Sequence, residues 1–217
     1  MIAPKTNRQS AIGNHQSIMV CLAKIIKSNS HIDYVGRVTD ALEANNPPDA
    51  SDYGFAQFVS LPINETQNVI GVIYNTMLLN PDYGNFGPRL SPVSENIVFS
   101  PDFINEQGVL IGILLLGWHD VLSKMNHHGV PRRVIPVNQE VFRLDDEDIL
   151  EFHRDKSGKI QLHYYSQIVT HAKLFAVPLL ESILDQLAPA CGEAEQKHLG
   201  VLKQALAWQR TMGGMRL

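Results

Sequence analysis

The sequence predicts an α+β fold: a small antiparallel β-barrel of roughly six strands over about residues 30 to 140, followed by a helical C-terminal segment over 141–217. Three observations carry this. From Tyr34 to Leu79, runs rich in Val, Ile, Phe and Tyr alternate with tracts of Asn, Pro, Asp, Ser and Gly, the composition of strands and of the turns between them. A second apolar run, VLIGILLLGW from Val109 to Trp118, is too short to span a bilayer, which needs ~20 residues, and reads as a buried strand. From Gln167 to Leu187 the period changes, with Ile168, Ala172, Phe175, Leu179, Ile183 and Leu187 spaced by three and four residues, the stripe of an amphipathic helix.

Taken in order, residues 1–29 read as a polar N-terminal arm and one short helix over Ser17 to Lys27, with Ile18, Leu22, Ile25 and Ile26 on its apolar face. Strands then follow in YVGRVTDAL, FAQFVSL and VIGVIYNTMLL. The third is apolar on both faces and is expected to be covered on both, with Gly71 admitting a close neighbour. Asn80 to Pro92, with three prolines and two glycines, reads as a long loop, and Ile97 to Phe99 as a strand. Ser123 to Arg133 is polar and turn-like, and Val134 to Val137 reads as a short last strand kept at an edge by Pro136, which cannot donate to a ladder. Asp145 is placed to cap a short helix with Asp146, Glu147 and Asp148 in its first turn. Pro178 is expected to kink the long helical stretch or start a second helix, and Glu193 to Thr211 forms a last helix ended by Gly213 and Gly214.

Gly36-Arg37-Val38, Phe58-Val59-Ser60-Leu61 and Val69-Ile70-Gly71-Val72-Ile73 together resemble the HAS-barrel, the small barrel named for the HerA helicases and the ATP synthases. The resemblance covers about a third of the chain and rests on apolar and glycine spacing. In that family the barrel precedes a motor domain and docks subunits around a motor ring. It implies here a non-catalytic assembly or adaptor protein, a homo-oligomer, with a HerA-like ATPase as candidate protein partner.

Composition narrows the function classes. The chain has 217 residues, 44% hydrophobic and 18% charged, with a formal net charge of −4, so it can bury a core but has no global basic field for a phosphate backbone. Its two cysteines, Cys21 and Cys191, form no CxxC pair, which points to a reducing compartment. Lys5, Arg8, Asn14, His15 and Gln16 interrupt the N-terminus, so the reading is a cytoplasmic protein without export signal or membrane span.

No residue is assigned a catalytic, cofactor-binding or metal-binding role. Nothing matches GxxxxGK followed by Ser or Thr, and no GxGxxG follows a strand, so no ATPase activity is expected and no cofactor is implied. Three weaker constellations remain. His119-Asp120 and His127-His128 have ligand chemistry for a divalent metal, the basis of a metal-dependent hydrolase reading, against a plain reading as solvated loop residues. Arg37, Arg89, Arg132 and Arg133 are a candidate basic patch, the basis of a nucleic-acid-binding reading, against solvated arginines without interleaved aromatics. Phe175, Leu179 and Ile183 are the candidate interface on the helical stripe, which must be buried against the barrel, the last helix or another subunit.

Overall fold

The computed structural model describes residues 20–41, 43–79 and 108–213. Among them, seven strands make one antiparallel sheet: β1 (Cys21–Ser28), β2 (Asp33–Val38), β3 (Phe58–Asn64), β4 (Gln67–Leu79), β5 (Gly108–Asp120), β6 (Met125–His128) and β7 (Glu140–Arg143). They are ordered β2-β1-β7-β3-β4-β5-β6, and a further β2–β5 pairing closes the first six into a barrel. Closure is shared out along β5. On one side it pairs with β4 over its whole length. On the other it pairs first with β2, Leu110 to Leu114, and then with β6, Gly117 to Asp120. So β6 is a flap continuing the barrel wall beyond the end of β2.

The apolar runs dictate this arrangement. In β4, Val69 to Ile73 are all buried, as are Ile111 to Leu116 in β5, because one face fills the barrel and the other is covered from outside. Two glycines allow the close approach of neighbours. A Cβ on Gly71 would lie 2.8 Å from Ile113 Cγ2 and 3.1 Å from the Leu114 carbonyl oxygen, and one on Gly117 would lie 2.0 Å from the His127 carbonyl oxygen.

Four α-helices follow: α1 (Asp146–His153), α2 (Tyr165–His171), α3 (Ala176–Leu187) and α4 (Glu193–Gly213). Asp145 caps α1 as expected, its side chain accepting from the Asp148 amide at 2.9 Å. The helices cover the barrel. Ile149, Phe152, Ile168, Leu179, Leu180 and Ile183 belong to one buried cluster with Phe58, Ile70, Val72 and Leu115. Polar side chains fasten the joint: Gln57 Nε2 donates to the Leu144 carbonyl at 3.0 Å, Gln167 Nε2 to Leu115 at 3.2 Å and Gln186 Nε2 to Ala56 at 3.0 Å. No helix among the described residues is long and apolar enough to cross a membrane.

Several expectations are corrected. Cys21 to Ser28 is a strand, not part of a helix over Ser17 to Lys27, so the barrel begins at Cys21 rather than near residue 30. Two ladders override the local helical spacing, one with β2 and one with β7, and β-branched Ile25 and Ile26 suit them. Val134 to Val137 is not a strand. Asn138 turns the chain at φ 65°, and the closing strand is β7, slotted between β1 and β3, so the barrel ends at Arg143. Met125 to His128 is a strand within the stretch read as turn-like. The break in the long helical stretch comes at Ala172 to Phe175, where Lys173 adopts φ 51°; Pro178 sits in the first turn of α3, where a missing N–H costs nothing. The residue 1–15 arm, the loop from Asn80 to Pro92 and the strand at Ile97 to Phe99 lie outside the described residues.

Candidate site at the joint of barrel and helices

Strand geometry separates the four residues of the metal reading. Successive side chains on a strand point to opposite faces, so neither adjacent pair can converge on one ion. His119 Nδ1 and Asn126 Oδ1 are 2.7 Å apart, which makes the nitrogen the donor. Asp120 accepts from the amides of Leu122 at 3.0 Å and Ser123 at 2.9 Å, closing the turn into β6. Those turn hydrogen bonds, the Ser123 amide foremost, hold its carboxyl below the ordinary range. His127 stacks on Trp118, ring centroids 4.9 Å apart. Among the described residues no group of three or more His, Cys, Asp or Glu is placed to hold a metal ion.

His128 points the other way, into a cluster that the sequence reading missed. It meets Phe152 at 4.5 Å, Tyr164 at 5.0 Å and His153 at 5.7 Å between ring centroids, and Phe58 from β3 packs edge-on against His153 at 5.2 Å. Four elements contribute: β3, β6, the end of α1 and the entry to α2. His153 and Tyr164 are both fully buried. Their hydrogen-bond partners fix the hydrogens. His153 Nδ1 lies 2.6 Å from the Ile149 carbonyl, which can only accept, so Nδ1 carries the hydrogen and Nε2 accepts from the Tyr164 hydroxyl. His128 Nε2 donates to the Phe152 carbonyl at 3.0 Å, and its Nδ1 accepts from the His163 amide at 3.3 Å. The amide donor on Nδ1 makes the His128 ring neutral, and complete burial keeps His153 neutral in the opposite tautomer. Burial is the main cause that lowers His128 to about 4 and His153 to about 3, and burial pushes the Tyr164 hydroxyl well above its ordinary range.

Beside this cluster a cavity of about 20 Å³ is lined by Ile70, His119, Asn126, Leu144, Asp148, Glu151 and Phe152, space for about one water. Loss of solvent, then the charges of Asp145 and Glu151, raise Asp148 to about 6. A wider cleft of about 370 Å³ runs between α1 and the end of α3, with Asp146 and Asp185 at its rim. Lys203 on Asp185 at 2.6 Å and Arg154 on the Ala190 carbonyl at 3.3 Å bring both charge signs to it.

The other candidates fall as follows. Arg37 pairs with Glu43 near the end of β2, whereas His31, before its start, holds the Pro131 carbonyl at 2.7 Å. Arg37 and the exposed Arg132 and Arg133 thus sit toward opposite ends of a strand roughly 13 Å long between Asp33 and Arg37, and Arg89 lies outside the described residues. Leu179 and Ile183 are fully buried within the chain, while Phe175 is 41% exposed. Phe175 stands 6.0 Å from the ring of Phe55, itself 43% exposed, and next to Leu174, 92% exposed. Backbone at positive φ presents this face: Ala56 at 66° beside Phe55 and Lys173 at 51° beside Leu174.

The chain belongs to the family described as Domain of unknown function (DUF8166), whose profile matches residues 6–216. No curated protein matches it.

Proposed function

We propose that this member of the family is a non-catalytic assembly or adaptor module of the cytoplasm, which docks a protein partner through the face made by Phe55, Leu174 and Phe175. The carrying observation is Leu174, 92% exposed and next in the chain to Phe175, whose partly exposed ring stands 6.0 Å from that of Phe55. An exposed aliphatic side chain next in the chain to an exposed aromatic pair, flanked by residues in a sparsely populated backbone conformation, is the composition of an interface centre. The two strained residues lie on different parts of the chain, before β3 and between α2 and α3, so the face is assembled by the packing of helices on barrel.

The resemblance to the HAS-barrel supports a HerA-like ATPase as partner, with the module itself a homo-oligomer. Leu174→Glu tests the docking reading, because a buried charge at an interface centre costs far more than a lost contact. Full-length protein purified from its native host is expected to bring an ATPase with it, identified by mass spectrometry, and Leu174→Glu to lose it. Unchanged copurification and an unchanged mass in light scattering would dispose of the face as a docking surface.

A further inference from the structure

We propose that His128, His153 and Tyr164 form an acid-sensitive latch that holds α1 and α2 on the barrel, closed while both rings are neutral and opened when they take up protons. This does not depend on the docking reading. The latch joins three elements through a small set of bonds: β6 supplies His128, α1 supplies His153 with the Ile149 and Phe152 carbonyls, and the entry to α2 supplies Tyr164 and the His163 amide.

Each bond has a direction that protonation reverses. A proton on His153 Nε2 turns that nitrogen from acceptor to donor, so the Tyr164 hydroxyl hydrogen loses its acceptor in a place closed to water. A proton on His128 Nδ1 sets an N–H against the His163 amide, donor facing donor. The two cations would also stand 5.7 Å apart, with His163 5.9 Å from His128.

Among the described residues no carboxylate offsets these charges at the ring nitrogens. β3 brings Phe58 and no charged residue. On β6, His127 is turned to Trp118. On α1, Asp148 and Glu151 line the small cavity with His119. Arg154, next along the chain, gives its guanidinium to the carbonyls of Gly158 and Ala190.

Both histidines are lowered in the folded state, to about 4 and about 3, so their contribution is complete above the unfolded value of about 6.5 and is lost as pH falls through the folded values. Asp148, raised to about 6, works the opposite way between about 6 and its unfolded value, but it is partly exposed and offsets only part of the loss.

Hydrogen exchange of the full-length protein followed by mass spectrometry at pH 7, 5 and 4, corrected for intrinsic rates, reads the latch directly. Peptides from 146–171 are expected to lose protection at least tenfold more than peptides from β3 and β4 as pH falls. His128→Gln keeps an N–H for the Phe152 carbonyl and an acceptor for the His163 amide, yet does not titrate. It is expected to move the midpoint of that opening about one pH unit lower. Equal loss of protection in barrel and helices, or an unmoved midpoint, would overturn the latch. Should the variant fold poorly at pH 7, proton NMR of the native histidines decides: two rings staying neutral below pH 5 support it, and all rings titrating near 6.5 without structural change exclude it.

Discussion

Two aromatic contacts where the helices cover the barrel differ in character. At His153 and Tyr164 both side chains are fully buried and each polar atom at the contact has a partner of the right sense. At Phe55 and Phe175 the rings touch at 6.0 Å but stay some two-fifths exposed, with Leu174 almost free in water. The first contact has the satisfaction and dryness of a core; the second holds the left-handed backbone of Ala56 and Lys173, a conformation costing about 1–2 kcal/mol per residue. Cohesion is therefore concentrated on the sealed side, and the open side is free to be shaped by something other than the stability of this chain.

The most severe way to break that comparison is to remove the sealed side. A chain ending at Arg143 loses Ile149, Phe152, Tyr164, Ile168, Leu179 and Ile183, each fully or almost fully buried, at about 1.5–3 kcal/mol apiece. The total is as large as the whole stability of an ordinary domain, about 5–15 kcal/mol. The truncated barrel is expected to aggregate or to melt without cooperativity in calorimetry. A soluble, cooperatively melting barrel would mean that the helical layer is an appendage and that its stripe serves association instead.

A smaller change tests the sealing itself. Tyr164→Phe keeps the ring against Phe152 and His128 and removes only the hydroxyl that donates to His153 Nε2. It is expected to cost about 1–3 kcal/mol, the penalty of an unsatisfied buried acceptor, measured as a lower midpoint in urea with unchanged slope. An unaltered midpoint would show that the pair is held by ring packing alone.

How much of this was legible follows from how local each signal is. β2 to β5 carry their own Val, Ile, Leu and Phe runs, and Asp145 sits at the head of its helix, so these could be read from short windows. β1 could not, because its identity depends on pairing with residues near 36 and 142. β7 is four residues long and β6 reads MNHH, each too short or too polar to stand out from a loop. The site was half visible: the pair His127-His128 stood out, but the partners of His128 arrive through the fold. The turn from Asp155 to Lys159 brings Tyr164 back to His153, closed by the Asp155 amide on the Lys159 carbonyl at 2.9 Å. No spacing rule links residues 128, 153 and 164. The open face was visible only through Phe175, since a non-glycine left-handed residue such as Lys173 leaves no mark in sequence.

The least expected disturbance sharpens the comparison from the open side. Leu174 is 92% exposed and lies in a single 3₁₀ turn between α2 and α3, so its side chain contributes almost no burial to this chain. Leu174→Glu should therefore change the midpoint of urea unfolding by less than about 0.5 kcal/mol, as for a surface position without special contacts. The same substitution is the one expected to abolish partner binding. Those two results together would separate the residue's role in folding from its role in docking. A loss above about 1 kcal/mol would instead assign Leu174 to the packing of the α2–α3 corner, and the contrast between a sealed and an open contact would fail at the residue that defines it.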